Sequence, residues 1–170
     1  MIRRVHVQGY KSLQDVELTL GPLTIIFGPN AAGKSNLFDA LALLSRMVTH
    51  RSLREAFEGH RGDPIEAFHY AEKGLPGLLE TERLQFTIEV DVELSEQVIE
   101  VVENRIRQAR SGLPGHESSD SRRWVAERLL RYRLTVELLT ESGILRVVDE
   151  RLAALTADGS REKLLHARKP

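Results

Sequence analysis

One stretch limits what this chain can fold into more than any other. Gly28-Pro29-Asn30-Ala31-Ala32-Gly33-Lys34-Ser35 fits the spacing G-x-x-x-x-G-K-[ST] at every position. The residues before it, 23–27 (Leu-Thr-Ile-Ile-Phe), form a short apolar run of the kind expected of a strand buried on both faces, and residues 35–48 read as a helix. Strand, glycine-rich turn and helix are the setting in which this spacing makes a phosphate cradle. Glycines at 28 and 33 let consecutive backbone N–H groups turn inward as a nest, and the helix adds its unpaired N–H groups and positive dipole end. Lys34 is expected to reach the β- and γ-phosphates as a point charge, and the Ser35 hydroxyl is expected to ligate Mg²⁺.

Composition narrows the setting. The chain has 170 residues, 41% hydrophobic and 29% charged, enough for a domain with a core of its own. It contains no cysteine, so disulfides and thiolate metal sites are excluded. No apolar run approaches the roughly 20 residues of a membrane span, and the N-terminus lacks the apolar core of a signal peptide, so a cytoplasmic protein with no membrane partner is expected. A formal net charge of −1 gives no overall basic footprint, so DNA contact would come through the full assembly.

The flanking pattern is mixed. Val5 and Val7, then Val16, Leu18 and Leu20, alternate with polar residues as two half-buried strands do, with Gly9-Tyr10-Lys11-Ser12 as the loop between them. The helix after the phosphate loop carries apolar residues around nearly its whole circumference and is expected to be buried, with Asp39 near its start suiting the dipole. A short helix is expected around Leu53, Ala56 and Phe57. His50, His60 and His69 share no metal-ligand spacing and read as solvent or packing residues.

Residues 84–94 alternate without a break and predict an antiparallel strand with one wet face. Ser95 stands as N-cap of an amphipathic helix with a solvated face of Glu100, Glu103, Arg107 and Arg110; residues 111–121 read as a flexible loop, and residues 124–130 as a short helix. Residues 132–138 and a strand starting at Ile144 should pair as a hairpin, forming with 84–94 a second antiparallel layer, and residues 152–165 look helical. The run 144–150 also has the look of a Walker B strand ending in Asp149 and Glu150. Arg146 in its middle and the tight Glu141-Ser142-Gly143 turn favour the hairpin, so both acids stay outside the expected site. The chain divides into residues 1–50, with strand pair, phosphate loop and first helix, and residues 51–170, with the antiparallel layer and its helical insertion. Both belong to one α/β head.

Gly9-Tyr10-Lys11-Ser12-Leu13 followed by residues 25–37 resembles the opening of the RecF, SMC and OLD-type branch of cassette (ABC-type, AAA family) ATPases, over about the first fifty residues. The resemblance implies a P-loop NTPase fold, ATP and Mg²⁺ as cofactors, and a site at Gly28, Pro29, Asn30, Ala31, Ala32, Gly33, Lys34, Ser35 and Asn36. In it Asn30 shapes the γ-phosphate environment, Asn36 the helix start, and Lys11 lies in a loop near the nucleotide. No Leu-Ser-Gly-Gly-like signature, Walker B strand or switch histidine follows. The resemblance therefore implies an N-terminal lobe that needs a C-terminal lobe or second chain, working in a head-to-head dimer and hydrolysing ATP only when completed. DNA repair, chromosome maintenance or anti-phage defence is the implied setting. A nucleotide-sensing module without hydrolysis is the alternative, and a small-molecule P-loop kinase a third.

Overall fold

Alternation of apolar and polar residues builds most of the molecule. In the computed structural model, which describes residues 1–69, 77, 80–110, 124–156, 159 and 162–168, six strands join one sheet in the order β2-β1-β3-β4-β5-β6. They are β1 (Ile2–Tyr10), β2 (Leu13–Thr19), β3 (Arg83–Glu93), β4 (Leu129–Leu139), β5 (Ile144–Leu155) and β6 (Glu162–Arg168), and every neighbouring pair is antiparallel. The expected second layer is therefore a continuation of the first. β1 pairs with β2 on one side and β3 on the other, so the N-terminal hairpin and the long strands share one ladder.

One face of the sheet is the core. Val5, Val7, Phe86, Ile88, Val90, Leu134, Val136 and Leu138 are buried there together with Leu37, Ala40, Leu43 and Leu44 of α1 (Lys34–Thr49). Phe57 of α2 (Leu53–Glu58) and Phe68, just after a 3-10 turn (Pro64–Ala67), close the end of this layer. The Phe86 ring meets Phe68 at 5.1 Å and Tyr10 edge-on at 5.4 Å. Only one face of α1 is covered: Phe38 is 59% exposed and Val48 55%, against the expectation of a helix buried all round.

The opposite face is wet only in part: Gln85 is exposed, whereas Glu89, Asp91, Thr135 and Glu137 are buried, the three acids because arginines on neighbouring strands lie across from them and Thr135 against the Thr87 hydroxyl at 2.9 Å. Arg131 grips Asp91 through Nε and Nη2 at 2.7 and 2.8 Å, Arg4 donates to Glu89 at 2.6 Å, and Arg146 holds Glu137 through Nη2 at 2.6 Å. Gln85 adds a 2.7 Å bond to Glu137, and these partners hold its carboxyl below the usual carboxylate range.

Other expectations need correction. Of residues 152–165, expected to be helical, 152–155 end β5 and 162–165 start β6, since Ala153, Ala154 and Leu155 bury themselves along β4 and pairing there overrides the helix preference of Ala and Leu. Residues 124–128 form no helix; the ladder reaches back instead, with Leu94 N–H donating to Arg128 O at 2.8 Å. α3 (Glu96–Arg110) starts as expected with Ser95 Oγ accepting from Val98 N–H, but Glu103, placed on the solvated face by its charge, is buried beside Ile99. The loop expected over 111–121 lies outside the described residues.

The largest departure is in residues 23–27. They form no strand, and Leu23, Ile25 and Phe27 are 82%, 75% and 90% exposed. A strand meant for burial on both faces gains its hydrogen bonds only from neighbours, and the described antiparallel sheet is built from other segments.

Candidate functional site

The phosphate loop takes its shape from three residues in the left-handed half of backbone space. Gly28 has φ 155°, Ala31 67° and Gly33 87°. For alanine this conformation costs on the order of 1 kcal/mol, a strain of the kind retained at binding sites. Gly33 is also confined: a Cβ there would stand 3.0 Å from Ser12 Oγ and 3.1 Å from Leu13 Cδ2. The β1–β2 turn is thus packed directly on the end of the loop.

α1 starts at Lys34 with Gly33 as its N-cap, and neither a capping side chain nor an acidic residue occupies its first turn. Among the described residues, its N-terminal N–H groups and dipole therefore have no capping or first-turn carboxylate to satisfy them. Asp39, expected to serve that purpose, lies beyond the first turn and does something else, described below. Lys34 Nζ curls over the loop and donates to Gly28 O at 2.8 Å and Pro29 O at 2.6 Å. Asn30, Ala31, Ala32 and Ser35 are exposed along the same rim. An ammonium, an uncapped helix start and a strained glycine loop with no carboxylate of its own form a donor set that fits a polyphosphate.

Asn36 turns sideways, its Nδ2 donating to Ser12 Oγ at 2.8 Å, so its observed role is to tie the helix start to the β1–β2 turn. Lys11 sits in that turn at φ 47°. Its ammonium donates to Asp39 Oδ2 at 3.1 Å and Arg61 O at 3.3 Å and lies 5.6 Å from the Tyr10 ring centroid. Lys11, Ser12, Asn36, Glu66 and His69 line one cavity of about 430 Å³ beside the helix start. The structure therefore brings Lys11 to the first turns of α1, and adds Ser12, Asp39 and His69, which sequence reasoning left out. Nothing in their spacing announces them, because His69 meets Lys11 across 58 positions and Asp39 across 28.

Two neighbouring groups have shifted proton equilibria. Burial, reinforced by the charge of Asp39, pushes the Tyr10 hydroxyl up, and its proton is shared with His60 Nε2 at 2.9 Å. Burial, then the charge of Lys11, lowers the His60 imidazole below its ordinary value. Asp149 and Glu150 take no part in this cluster. They lie on β5, antiparallel to β4, where Asp149 accepts from Arg151 at 3.0 Å and Glu150 from the Tyr132 hydroxyl at 2.8 Å. Among the described residues no group of three or more His, Asp or Glu side chains is placed to hold a metal ion, and no helix is long and apolar enough to cross a membrane.

Comparison with known proteins bears on this geometry. The family model described as "AAA domain, putative AbiEii toxin, Type IV TA system" matches residues 23–156, which is most of the chain. The chain belongs to this AAA domain family. Its relatives place the domain in the RecF and OLD branch of ABC-type P-loop ATPases. The chain is 46% identical over 44 residues to an OLD nuclease of Thermus scotoductus, and 34% identical over 65 residues to the DNA replication and repair protein RecF of Corynebacterium jeikeium. A RecF of Magnetococcus marinus is 43% identical over 54 residues. These alignments cover 26%, 38% and 31% of this chain but only 8%, 15% and 13% of the relatives, so the chain spans a small part of their length. The domain is α/β, with a six-stranded antiparallel sheet and few helices among the described residues.

Proposed function

We propose that this AAA domain is the ATP-binding lobe of an ABC-type ATPase head acting in DNA repair, chromosome maintenance or anti-phage defence. The observation that carries the reading is the loop at residues 28–35, where the Lys34 ammonium, three left-handed residues and an uncapped helix start converge with no protein anion among them. Backbone N–H groups from Asn30 to Ser35 would hold the phosphates, Lys34 would neutralise and orient them, and the Ser35 hydroxyl would serve Mg²⁺. Bound Mg²⁺ supplies charge neutralisation of the phosphate oxygens. The chain's own share is binding and orientation: Lys34 leaves the two carbonyls it now holds, and Asn36 and Ser12 keep the helix start in register with the turn.

The names of the relatives, an OLD nuclease and RecF, support a role on DNA, which would be met through the whole assembly. Residues 1–50 and 51–170 act in this reading as parts of one head, completed by a C-terminal lobe or a second chain in a head-to-head dimer, in the cytoplasm. The exposed apolar run 23–27 supports that requirement, because Leu23, Ile25 and Phe27 in solvent form an apolar surface that the described residues leave uncovered. Turnover is expected from the completed head and to be negligible for the 170-residue chain.

Titration calorimetry with ATP and Mg²⁺ tests the assignment. Lys34→Ala should weaken binding by about 1.5–3 kcal/mol, the range of a charge-assisted contact. Equal affinity for wild type and variant would sink it.

A further inference from the structure

The residues next to the phosphate loop include one side chain whose position is unusually determined. Lys11 is held by its backbone as well as its ammonium. Its N–H donates to Ala67 O at 3.0 Å, and its carbonyl accepts from His69 Nδ1 at 2.6 Å. On either side, His69 N–H donates to Gly9 O at 2.8 Å, and Tyr10 pairs with Phe68 as an isolated antiparallel bridge. Residues 67–69 thus act as a clip laid along 9–11, and the clip is anchored in the core by Ala67 and Phe68, both fully buried.

The imidazole is oriented too. Nδ1 faces a carbonyl oxygen and must carry the proton, which leaves Nε2 as the acceptor for the Gln14 side-chain amide at 3.0 Å. Lys11 adopts φ 47°, a conformation that a lysine holds only when its surroundings over-determine it. Three fixings act at once: the clip on the N–H, the imidazole on the carbonyl, and Asp39 on the ammonium.

We infer that His69 is a positioning residue for Lys11: its Nδ1–H holds the strained turn so that the Lys11 ammonium is presented at the first turns of α1, as a second cation for the nucleotide phosphates beside Lys34. The inference rests on the nucleotide reading above. Asp39 is the resting partner of that ammonium, on the same helix as Lys34, and a bound phosphate chain competes with Asp39 for it. His69 touches no ligand in this scheme; it acts through the Lys11 carbonyl alone.

The experiment is a double-mutant cycle on the full chain, read by ATP·Mg²⁺ calorimetry and by thermal unfolding, with imidazole ¹⁵N shifts recorded without nucleotide. Lys11→Ala should weaken binding about tenfold, and His69→Ala about threefold to tenfold. The double variant should be no weaker than Lys11→Ala, since His69 works only through Lys11. His69→Asn, whose amide nitrogen can reach the same carbonyl, should restore binding; His69→Gln, which mimics the other ring nitrogen, should not. If His69→Ala does not fold, the Asn and Gln pair decides alone. The ligand-free spectrum should show an Nδ1-protonated ring. Wild-type affinity in His69→Ala, additive losses in the double variant, equal binding by the Asn and Gln variants, or an Nε2-protonated ring would each overturn the inference. These results are separable from failure of the nucleotide reading, which would show as equal binding by wild type and Lys34→Ala.

Discussion

Two sets of apolar residues in this chain, one in the sheet and one just before the phosphate loop, have opposite fates. Val5, Val7, Ile88 and Val136 in the sheet are wholly buried, while Leu23, Ile25 and Phe27 stand 82%, 75% and 90% exposed. Side-chain hydrophobicity does not separate them. What separates them is whether the backbone has a partner. Every strand of the sheet is laddered to a neighbour, one turn away for β1 with β2 and for β4 with β5, and far along the chain for β3 with β1 and β4. Residues 23–27 pair with no strand among the described residues, and an apolar run without a ladder has no sheet face on which to bury its side chains.

The largest effect that could break this comparison is on stability. Phe86→Ala, in the most crowded part of the core, should cost about 3–5 kcal/mol of unfolding free energy. Phe27→Ala in the same chain should stay within about 0.5 kcal/mol, as surface substitutions do. Urea unfolding of both variants checks the pair. A comparable loss at Phe27 would mean that residues 23–27 are buried in solution and that the two regions do not differ.

Next in size is the polar face of the sheet. Glu137 is 2% exposed and held by Gln85 and Arg146, so Glu137→Ala should cost about 1–3 kcal/mol by leaving both partners short of an acceptor. Its acid dependence has a definite sign. Because the folded carboxyl titrates below the unfolded one, its contribution is complete above the unfolded value near 4.3 and disappears as pH falls through the folded value. Glu137→Gln should remove that part of the acid sensitivity. Unfolding curves for wild type and variant that stay parallel from neutral pH into the acid range would show that the pair adds nothing.

The same contrast explains what could be read from the sequence. The strands at 84–94 and 132–138 and the phosphate loop were legible because their information is local: a period of two, a tight turn, a spacing of glycines with Lys and Ser. The wet face predicted for β3 is observed at Gln85 but not at Glu89 and Asp91, which look solvated until Arg4 and Arg131 arrive from other strands. Residues 152–155 and 162–165 include good helix formers and yet lie in β5 and β6, since β4 offered Ala153 to Leu155 a buried edge. In the site, Lys34 and Ser35 follow from the motif, whereas Asp39, His60 and His69 acquire their positions only when β1, α1 and residues 60–69 fold together. The histidines were read as packing or solvent residues, and their lack of metal-ligand spacing holds no information about hydrogen bonds to a turn.

The smallest expected effect lies at the junction of the two regions. His60 bridges the sheet, through Tyr10, to the loop whose Arg61 carbonyl receives Lys11. Its Nδ1 lies 3.4 Å from Gly62 O and its Nε2 faces the Tyr10 hydroxyl, an arrangement that suits the neutral ring with the proton on Nδ1. Burial lowers its proton affinity first and the Lys11 charge next; Arg46 acts in the same direction, with Asp39 and the Gly62 carbonyl opposing. Unfolded, the ring takes up its proton near the ordinary value of about 6.5, before the folded ring does. Stability contributed by neutral His60 is thus fully present above that value and is lost as pH falls through the lower folded value. Between pH 7.5 and 5.5 the wild type should lose slightly more stability than His60→Gln, whose side chain does not titrate. The difference between variants is the useful quantity, because every other group is common to both. Identical pH slopes would show that His60 reports nothing of the junction. A steeper loss in wild type that becomes smaller in Lys11→Ala would show that the charge at the phosphate end of α1 is felt in the sheet.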